Sequence, residues 1–210
     1  MLPTKYIAFF FLSALFFEHA TAHAQNSENA TFGFDHDEAD KLPVDWAAAS
    51  GTWMIAADGT NKAMKQAGKN QGDSFNVCVQ SKIKYQNLDM EVRIKPLEGK
   101  EDQGGGLVWR YQNIKNYYVA RANPLENNLI IYKVVNGIRK EIKSTNVKIK
   151  IGEWYKLKVV MIGYTLDCYF NGDKLLNATD KSFPNAGQIG FWSKADAISL
   201  FDDLKVKKIH

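Results

Sequence analysis

The chain has 210 residues, of which 45% are hydrophobic, 24% are charged and 12% are aromatic, and its formal net charge at pH 7 is +4. This composition excludes a disordered, collagen-like or low-complexity chain. A domain takes roughly 100–200 residues, so the length predicts one compact domain.

The first 24 residues have the pattern of a secretory signal peptide. After Lys5 comes an apolar run of 12 residues, Tyr6 to Phe17, and the small residues that follow end in an A-x-A pattern at Ala24. A helix that crosses a bilayer needs about 20 residues, which is more than this run supplies. We therefore expect cleavage after Ala24, export to the periplasm or the cell exterior, and no integral membrane span after cleavage. An uncleaved N-terminal anchor is the alternative.

Strands, not helices, are predicted in the rest of the chain. Residues 25–31 are predicted to be a flexible polar leader and residues 32–208 a single domain. Alternating apolar residues and β-branched or aromatic enrichment mark the strands. The predicted strands are 51–55, 75–79, 88–96, 105–111, 117–123, 128–135, 138–143, 154–162, 165–170, 187–193 and 199–206.

The segments between these strands contain turn and loop signals. Asn136-Gly137 and Asn171-Gly172 each lie between two strand patterns, which predicts two-residue hairpin turns. Residues 60–74 are polar and contain glycine, which predicts a loop. Many strands at short spacing are typical of a two-sheet sandwich or a barrel.

Motifs spread over residues 32–206 carry a family resemblance. They include F-D…L-P-x-x-W from Phe34 to Trp46, G-x-W at Gly51, DQGGGLVWRY at 102–111, NYYVARAN at 116–123, GFWSKAD at 190–196 and FDD at 201–203. The sequence resembles the concanavalin A-like lectin and glucanase superfamily. More narrowly, it resembles secreted bacterial 3-keto-disaccharide hydrolase-like and laminin-G-like domains. The resemblance implies an all-β fold, a two-sheet antiparallel β-sandwich or jelly roll, which binds ligand on its concave face.

Two arginines are the leading candidates for ligand binding. Strand alternation places Arg110 and Arg121 where we expect them to meet on neighbouring strands, on the face that the resemblance assigns to ligand. Guanidinium groups suit hydroxyl and carboxylate oxygens, and aromatic rings suit sugar C–H surfaces. Structural ion pairs for the arginines, and core packing for Trp192, are the alternatives. The predicted rim residues are Gln103, Asn123, Glu126, Asn127, Tyr132, Trp192, Lys194 and Asp196.

Catalytic and metal signals are weaker. The E-x-D-x-x-E pattern of glucanases of this fold is absent from the sequence, which disfavours hydrolysis by two carboxylates. If the protein is an enzyme, we expect a glycoside hydrolase or lyase that acts on 3-keto-glycosides, with Glu126, Asp196 or Asp202 as the base. The resemblance also implies a calcium site between Asp35 and Asp203, but two carboxylates alone do not establish an ion that takes six to eight oxygens.

The two cysteines leave two states open. In an exported protein Cys78 and Cys168 can form a disulfide, but both lie in apolar strand patterns where free thiols also pack well. The basic residues between Arg139 and Lys158 alternate with apolar ones, as on the solvent face of a strand, so nucleic-acid binding is disfavoured.

The sequence therefore favours an exported, monomeric, lectin-like protein with carbohydrate as its partner. A glycoside-cleaving enzyme is the first alternative, and an envelope protein-interaction module is the second.

Overall fold

The computed structural model describes residues 28–210, so the predicted signal peptide and residues 25–27 of the predicted leader lie outside the described residues. The described residues form fifteen strands. They are β1 (Asn29–Phe32), β2 (Trp46–Ser50), β3 (Trp53–Asp58), β4 (Asn61–Gln66), β5 (Phe75–Tyr85), β6 (Leu88–Glu98), β7 (Gly105–Asn113), β8 (Asn116–Asn123), β9 (Asn128–Val135), β10 (Ile138–Asn146), β11 (Tyr155–Ile162), β12 (Thr165–Phe170), β13 (Asp173–Thr179), β14 (Gly187–Lys194) and β15 (Ile198–Lys208).

These strands form two antiparallel sheets that pack face to face. Sheet A has the order β13-β12-β11-β6-β15-β4-β3, and β1 also pairs with β15. Sheet B has the order β10-β9-β8-β7-β14-β5-β2. This arrangement confirms the predicted all-β, two-sheet sandwich. No helix within residues 28–210 is long and apolar enough to cross a membrane.

Both predicted hairpin turns are confirmed. Asn136 and Gly137 connect β9 to β10 with φ values of 54° and 84°, and Asn171 and Gly172 connect β12 to β13 with φ values of 51° and 97°. A two-residue turn with two positive φ angles is the type I′ turn, whose twist matches the flanking strands.

Four strands were missed by the sequence patterns: β1, β2, β4 and β13. Most residues of β13 are exposed, so its sequence lacks the apolar alternation that marks a half-buried strand. β4 lies inside the predicted loop 60–74, and the prediction of a loop there is wrong for residues 61–66. Residues 29–31 belong to β1, which pairs with β15, so they are not part of a flexible leader.

The core between the sheets contains several of the aromatic residues that carried the resemblance. The rings of Trp46 (β2) and Phe191 (β14) stack with their centroids 4.8 Å apart. Phe191 stacks in turn on Phe201 (β15) at 4.8 Å, and Trp53 (β3) lies 5.7 Å from Phe201. Because these rings join sheet B to sheet A, these four residues report the fold rather than a site.

A second apolar cluster lies on the face of sheet B that points away from sheet A, which we call the outer face. None of the described strands lies across it, since sheet A packs against the opposite face. Its members alternate with the core residues along β5, β7, β8, β9 and β14. They include Val77, Val79, Val108, Tyr111, Tyr117, Val119, Ile130, Tyr132, Val134 and Trp192.

Of the two states that the sequence left open for the cysteines, the structure has the one without a disulfide. Cys78 lies in β5 of sheet B and Cys168 in β12 of sheet A, and both are buried free thiols. β10 lies against β13, which places β12 and β5 in opposite halves of the sandwich, too far apart for the short Cα separation that a disulfide needs. Burial raises the pKa of both thiols.

Asp180 fastens the loop between β13 and β14 to sheet B. Its carboxylate is 2.6 Å from Nζ of Lys133 and accepts hydrogen bonds from the Tyr118 hydroxyl at 2.8 Å and the Ser182 amide at 2.8 Å. Burial opposes ionisation of this carboxyl, but the hydrogen bonds from Lys133 and Ser182 outweigh it and lower the pKa of Asp180 to about 2.

We expect Asp180→Asn to lower the free energy of unfolding at pH 7 by about 2 kcal/mol. The pKa of Asp180 is lower in the folded state than its unfolded-state value near 3.8. The stability that this carboxylate contributes is therefore present at pH values above about 3.8 and is lost as the pH falls toward about 2. Urea unfolding at pH 7 and at about pH 2.5 measures the difference between the two proteins, which should shrink in acid. The exposed Asp173→Asn is the control, and an Asp180→Asn loss of equal size at both pH values would contradict this account.

Candidate functional site

The most extensive polar cluster on the outer face of sheet B surrounds Arg121. This residue lies in β8, directly opposite Gly106 of β7 and Ile130 of β9, and its side chain is 1% exposed. Its Nη1 donates to Oδ2 of Asp102 at 3.1 Å, and its Nη2 donates to Oε2 of Glu126 at 2.6 Å. Two carboxylates therefore neutralise one buried guanidinium.

Asp102 supports Arg121 from the loop before β7. Its Oδ1 accepts hydrogen bonds from the Gly104 amide at 2.7 Å and from Nδ2 of Asn123 at 3.3 Å. Burial raises the pKa of Asp102, and the charge of Arg121 opposes that rise. Glycine is required at position 104, because a Cβ there would lie 2.7 Å from Cδ of Arg121.

Glu126 is the acidic group of this cluster that solvent reaches. Its side chain is 46% exposed, and its Oε2 also accepts a hydrogen bond from Nδ2 of Asn128 at 2.8 Å. Partial burial opposes ionisation, but the hydrogen bonds from Arg121 and Asn128 outweigh it and lower the pKa of Glu126. Glu126 is therefore an anionic acceptor at the rim of the outer face.

Arg139 belongs to the same region, although its sequence pattern predicts only a basic, solvent-facing stretch. Its guanidinium carbon lies over three rings, 4.5 Å from the centroid of Tyr132, 5.4 Å from that of Phe75 and 5.6 Å from that of Trp192. These rings come from β9, β5 and β14, so sheet B curves enough for a side chain of its edge strand β10 to reach across it. The predicted turn after Val135 fixes the β9–β10 register and was a sequence signal that could have located Arg139.

Lys194 and Trp192 complete the cluster from the end of β14. Nζ of Lys194 lies 2.9 Å from Oδ1 of Asp73, whose side chain is 95% exposed. Trp192 is fully buried and its Nε1 donates to the Tyr117 hydroxyl at 3.3 Å. Of the predicted ligand-binding residues, the structure brings these together: Arg121, Asn123, Glu126, Tyr132, Trp192 and Lys194.

Arg110 is not part of this cluster, and the prediction that it shares a face with Arg121 is wrong. A β-bulge shifts the register of β7 at this point, and Arg110 has a φ of 46°. Its guanidinium donates to the backbone carbonyl oxygens of Gln86, Phe183 and Gly163 at 2.8, 2.7 and 2.6 Å. The side chain therefore joins three loops at one end of the sandwich.

Gln103 and Asp196 lie at a neighbouring cleft of about 570 Å³. Nε2 of Gln103 donates to the Gly99 carbonyl at 2.7 Å. The carboxylate of Asp196 accepts three backbone amides, from Lys100, Glu101 and Asp102. Through these hydrogen bonds both side chains stabilise the loop between β6 and β7. They do not join the Arg121 cluster.

The residues at the expected calcium site do not fit that ion. Oδ1 of Asp35 accepts the Lys62 amide at 3.1 Å, and Oδ2 of Asp203 is 2.9 Å from Nη1 of Arg93. Calcium takes six to eight oxygen ligands and is repelled by a guanidinium bonded to one of them. Within residues 28–210 no group of three or more His, Cys, Asp or Glu side chains is arranged to hold a metal ion.

Asp202, a candidate base, is remote from the Arg121 cluster. It lies in β15 of sheet A, where its Oδ2 accepts a hydrogen bond from Nδ2 of Asn61 at 2.8 Å. Burial raises the pKa of Asp202, and the hydrogen bond from Asn61 opposes that rise. Of the three predicted bases, only Glu126 is in the Arg121 cluster.

Residues 29–207 match the model of the family described as 3-keto-alpha-glucoside-1,2-lyase-like domain. The matched region spans every strand of both sheets except the last residue of β15. No curated protein sequence matches the chain.

Solved structures share the fold at low sequence identity. Carbohydrate-binding module CBM66 from Bacillus subtilis is 22% identical with a TM-score of 0.67, over 78% of this chain and 96% of that one. A Bacillus licheniformis β-glucanase is 13% identical with a TM-score of 0.60, over 89% of this chain and 100% of that one. The GH43 protein BlXynB from Bacillus licheniformis is 15% identical with a TM-score of 0.63, over 85% of this chain but 39% of that one. These matches confirm the jelly-roll sandwich.

Proposed function

This chain belongs to the 3-keto-alpha-glucoside-1,2-lyase-like domain family, and from that premise we propose that it is an exported protein that binds a saccharide on the outer face of sheet B. The observation that carries the proposal is the meeting of charged side chains and aromatic rings at one end of that face. Export rests on the signal-peptide pattern of residues 1–24.

The chemistry of this region suits a sugar. A sugar ring presents hydroxyl groups, which need paired donors and acceptors, and C–H surfaces, which pack against aromatic rings. Glu126 supplies a partly exposed acceptor, and Lys194, with an 18% exposed side chain, supplies a donor. The ring of Phe75, which is half-buried, lies 5.4 Å from that of Trp192 and offers an apolar surface beside them.

The fold gives this proposal a precedent. The Bacillus subtilis protein of the same fold is named a carbohydrate-binding module. Its identity to this chain is 22%, so the likeness supports a binding role without indicating which saccharide is bound.

We expect at least one saccharide to raise the melting temperature of the purified protein in a panel of mono- and oligosaccharides, because a ligand that binds only the folded state stabilises it. Lys194→Met should weaken the binding about tenfold, since it removes a charged donor at the site. Lys158→Met is the matched control, because Lys158 is also paired with a carboxylate, Asp89, but lies in sheet A. If no saccharide shifts the melting temperature, or if both variants bind equally well, the envelope protein-interaction module becomes the better reading.

A second candidate function is elimination from a 3-keto-glycoside, which the family match and the position of Glu126 favour. In this reaction a base removes the proton on C2, which the neighbouring ketone acidifies, and the C1–O bond breaks to leave a C1–C2 double bond. The departing oxygen takes a proton from an acid or from water. Glu126 is ionised and partly exposed, as a base must be, although its bond to Arg121 weakens its basicity. Turnover of 3-keto-glycosides, assayed with and without divalent metal and lost in Glu126→Gln, would establish this function.

A further inference from the structure

Arg139 differs from the other cations of the outer face because its charge has no partner. Arg121 is bonded to two carboxylates, and Lys194 is paired with Asp73. The guanidinium of Arg139 forms no ion pair or hydrogen bond within residues 28–210, and its Nη1 is buried without a hydrogen-bond partner. Since a buried donor is costly to leave unpaired, this position favours a ligand that supplies an acceptor.

Three aromatic rings around the guanidinium of Arg139 limit how it can bind a ligand. Tyr132, Phe75 and Trp192 surround its carbon at 4.5 to 5.6 Å, as in cation–π contacts. Such contacts draw on the charge of the guanidinium and do not use its N–H groups as hydrogen-bond donors. A planar carboxylate matches these donors, since its two oxygens accept two parallel N–H bonds.

Two nearby carboxylates of the chain do not fill this role. Asp73 and Glu126 are close enough to interact electrostatically with Arg139, yet each forms its ion pair with another cation. We infer that Arg139 binds the carboxylate of an acidic saccharide, a uronic acid residue, at the site proposed above. This inference rests on the proposed saccharide binding and names the class of sugar.

The test compares each uronate oligosaccharide with its own methyl ester, because the ester removes the charge and keeps the sugar. Glucuronate, galacturonate and mannuronate oligosaccharides are titrated into the purified protein by isothermal calorimetry, with neutral oligosaccharides alongside. We expect at least one acid to bind about tenfold more tightly than its ester, as a charge-assisted hydrogen-bond pair provides.

Substitutions then assign the preference to one side chain. Arg139→Met should abolish the preference for the acid, and Arg139→Lys, which keeps the charge but loses the planar fork, should retain part of it. Arg93→Met is the matched control, because Arg93 also lies over an aromatic ring, 4.6 Å from that of Trp154, but is already paired with Asp203 in sheet A. Circular dichroism and melting temperatures confirm that the variants fold.

Three results would overturn the inference. If neutral saccharides bind and the acids bind no better than their esters, the uronate assignment fails while saccharide binding stands. If the acid preference survives in Arg139→Met, a different cation recognises the carboxylate. If no saccharide binds at all, both proposals fail together.

Discussion

Replacing Arg110 with methionine should lower the free energy of unfolding by about 3–5 kcal/mol, because it leaves several carbonyl oxygens without their donor at one end of the sandwich. Arg110 is fully buried and donates to three loops that are far apart in the sequence, at Gln86, Gly163 and Phe183. Methionine keeps the length of the apolar stem, so the loss reports the hydrogen bonds rather than a cavity.

The backbone at this position allows a second test. A non-glycine residue in the left-handed region costs roughly 1–2 kcal/mol, and Arg110 has a φ of 46°. Methionine keeps this strain, whereas Arg110→Gly removes it together with the hydrogen bonds. Arg110→Gly should therefore be less destabilising than its lost hydrogen bonds and its smaller side chain alone would imply. Urea unfolding of both variants gives the two values. Arg93→Met is the control, since its partly exposed pair with Asp203 should contribute about 1 kcal/mol or less. A loss below about 1 kcal/mol in Arg110→Met would refute the role given to these bonds.

The same residue shows where strand alternation stops being informative. Alternation located most strands, and the two Asn-Gly pairs located the turns between β9 and β10 and between β12 and β13. It failed at Arg110 because a β-bulge moves the following side chains to new directions, and no sequence pattern marked that bulge. Arg110 was predicted to contact ligand and instead joins loops.

The site itself was partly predictable. Arg121 and Glu126 came from residue type and spacing, but Arg139 depends on how far sheet B curves, which alternation does not reveal. The register of the β9–β10 hairpin pairs Arg139 with Val134, so the turn at Asn136 could have placed Arg139 on the outer face. Its contacts with Phe75 and Trp192 required the three-dimensional structure, since those rings come from strands on the other side of the sheet.

Arg121→Met should also be strongly destabilising, by about 3–5 kcal/mol at pH 7, because it leaves a buried carboxylate without its cation. Asp102 is 2% exposed and keeps only neutral hydrogen-bond donors, the Gly104 amide and Asn123, once Arg121 is gone. Glu126 also loses its cation, but it is half exposed and can turn to water. The cost of this substitution therefore falls mainly on Asp102.

The pH dependence identifies that cost. Burial already raises the pKa of Asp102 in the intact protein, and removing Arg121 removes the charge that opposes the rise. A carboxyl whose pKa is raised on folding destabilises the protein at pH values above the pKa that the carboxyl has in the unfolded state. Protonation relieves that cost as the pH falls. The loss of unfolding free energy in Arg121→Met should therefore shrink as the pH falls from 7 to about 4. Missing apolar contacts alone would instead give a loss that does not change with pH.

A second substitution should restore part of the stability. Asp102→Asn removes the buried charge and keeps an oxygen that can accept the Gly104 amide, so the double variant Arg121→Met/Asp102→Asn should be more stable than Arg121→Met by about 1–3 kcal/mol at pH 7. Urea unfolding of wild type, both single variants and the double variant gives this coupling directly. If the double variant is no more stable than Arg121→Met, and the loss does not change with pH, then packing of the Arg121 stem, rather than its charge, stabilises this end of sheet B.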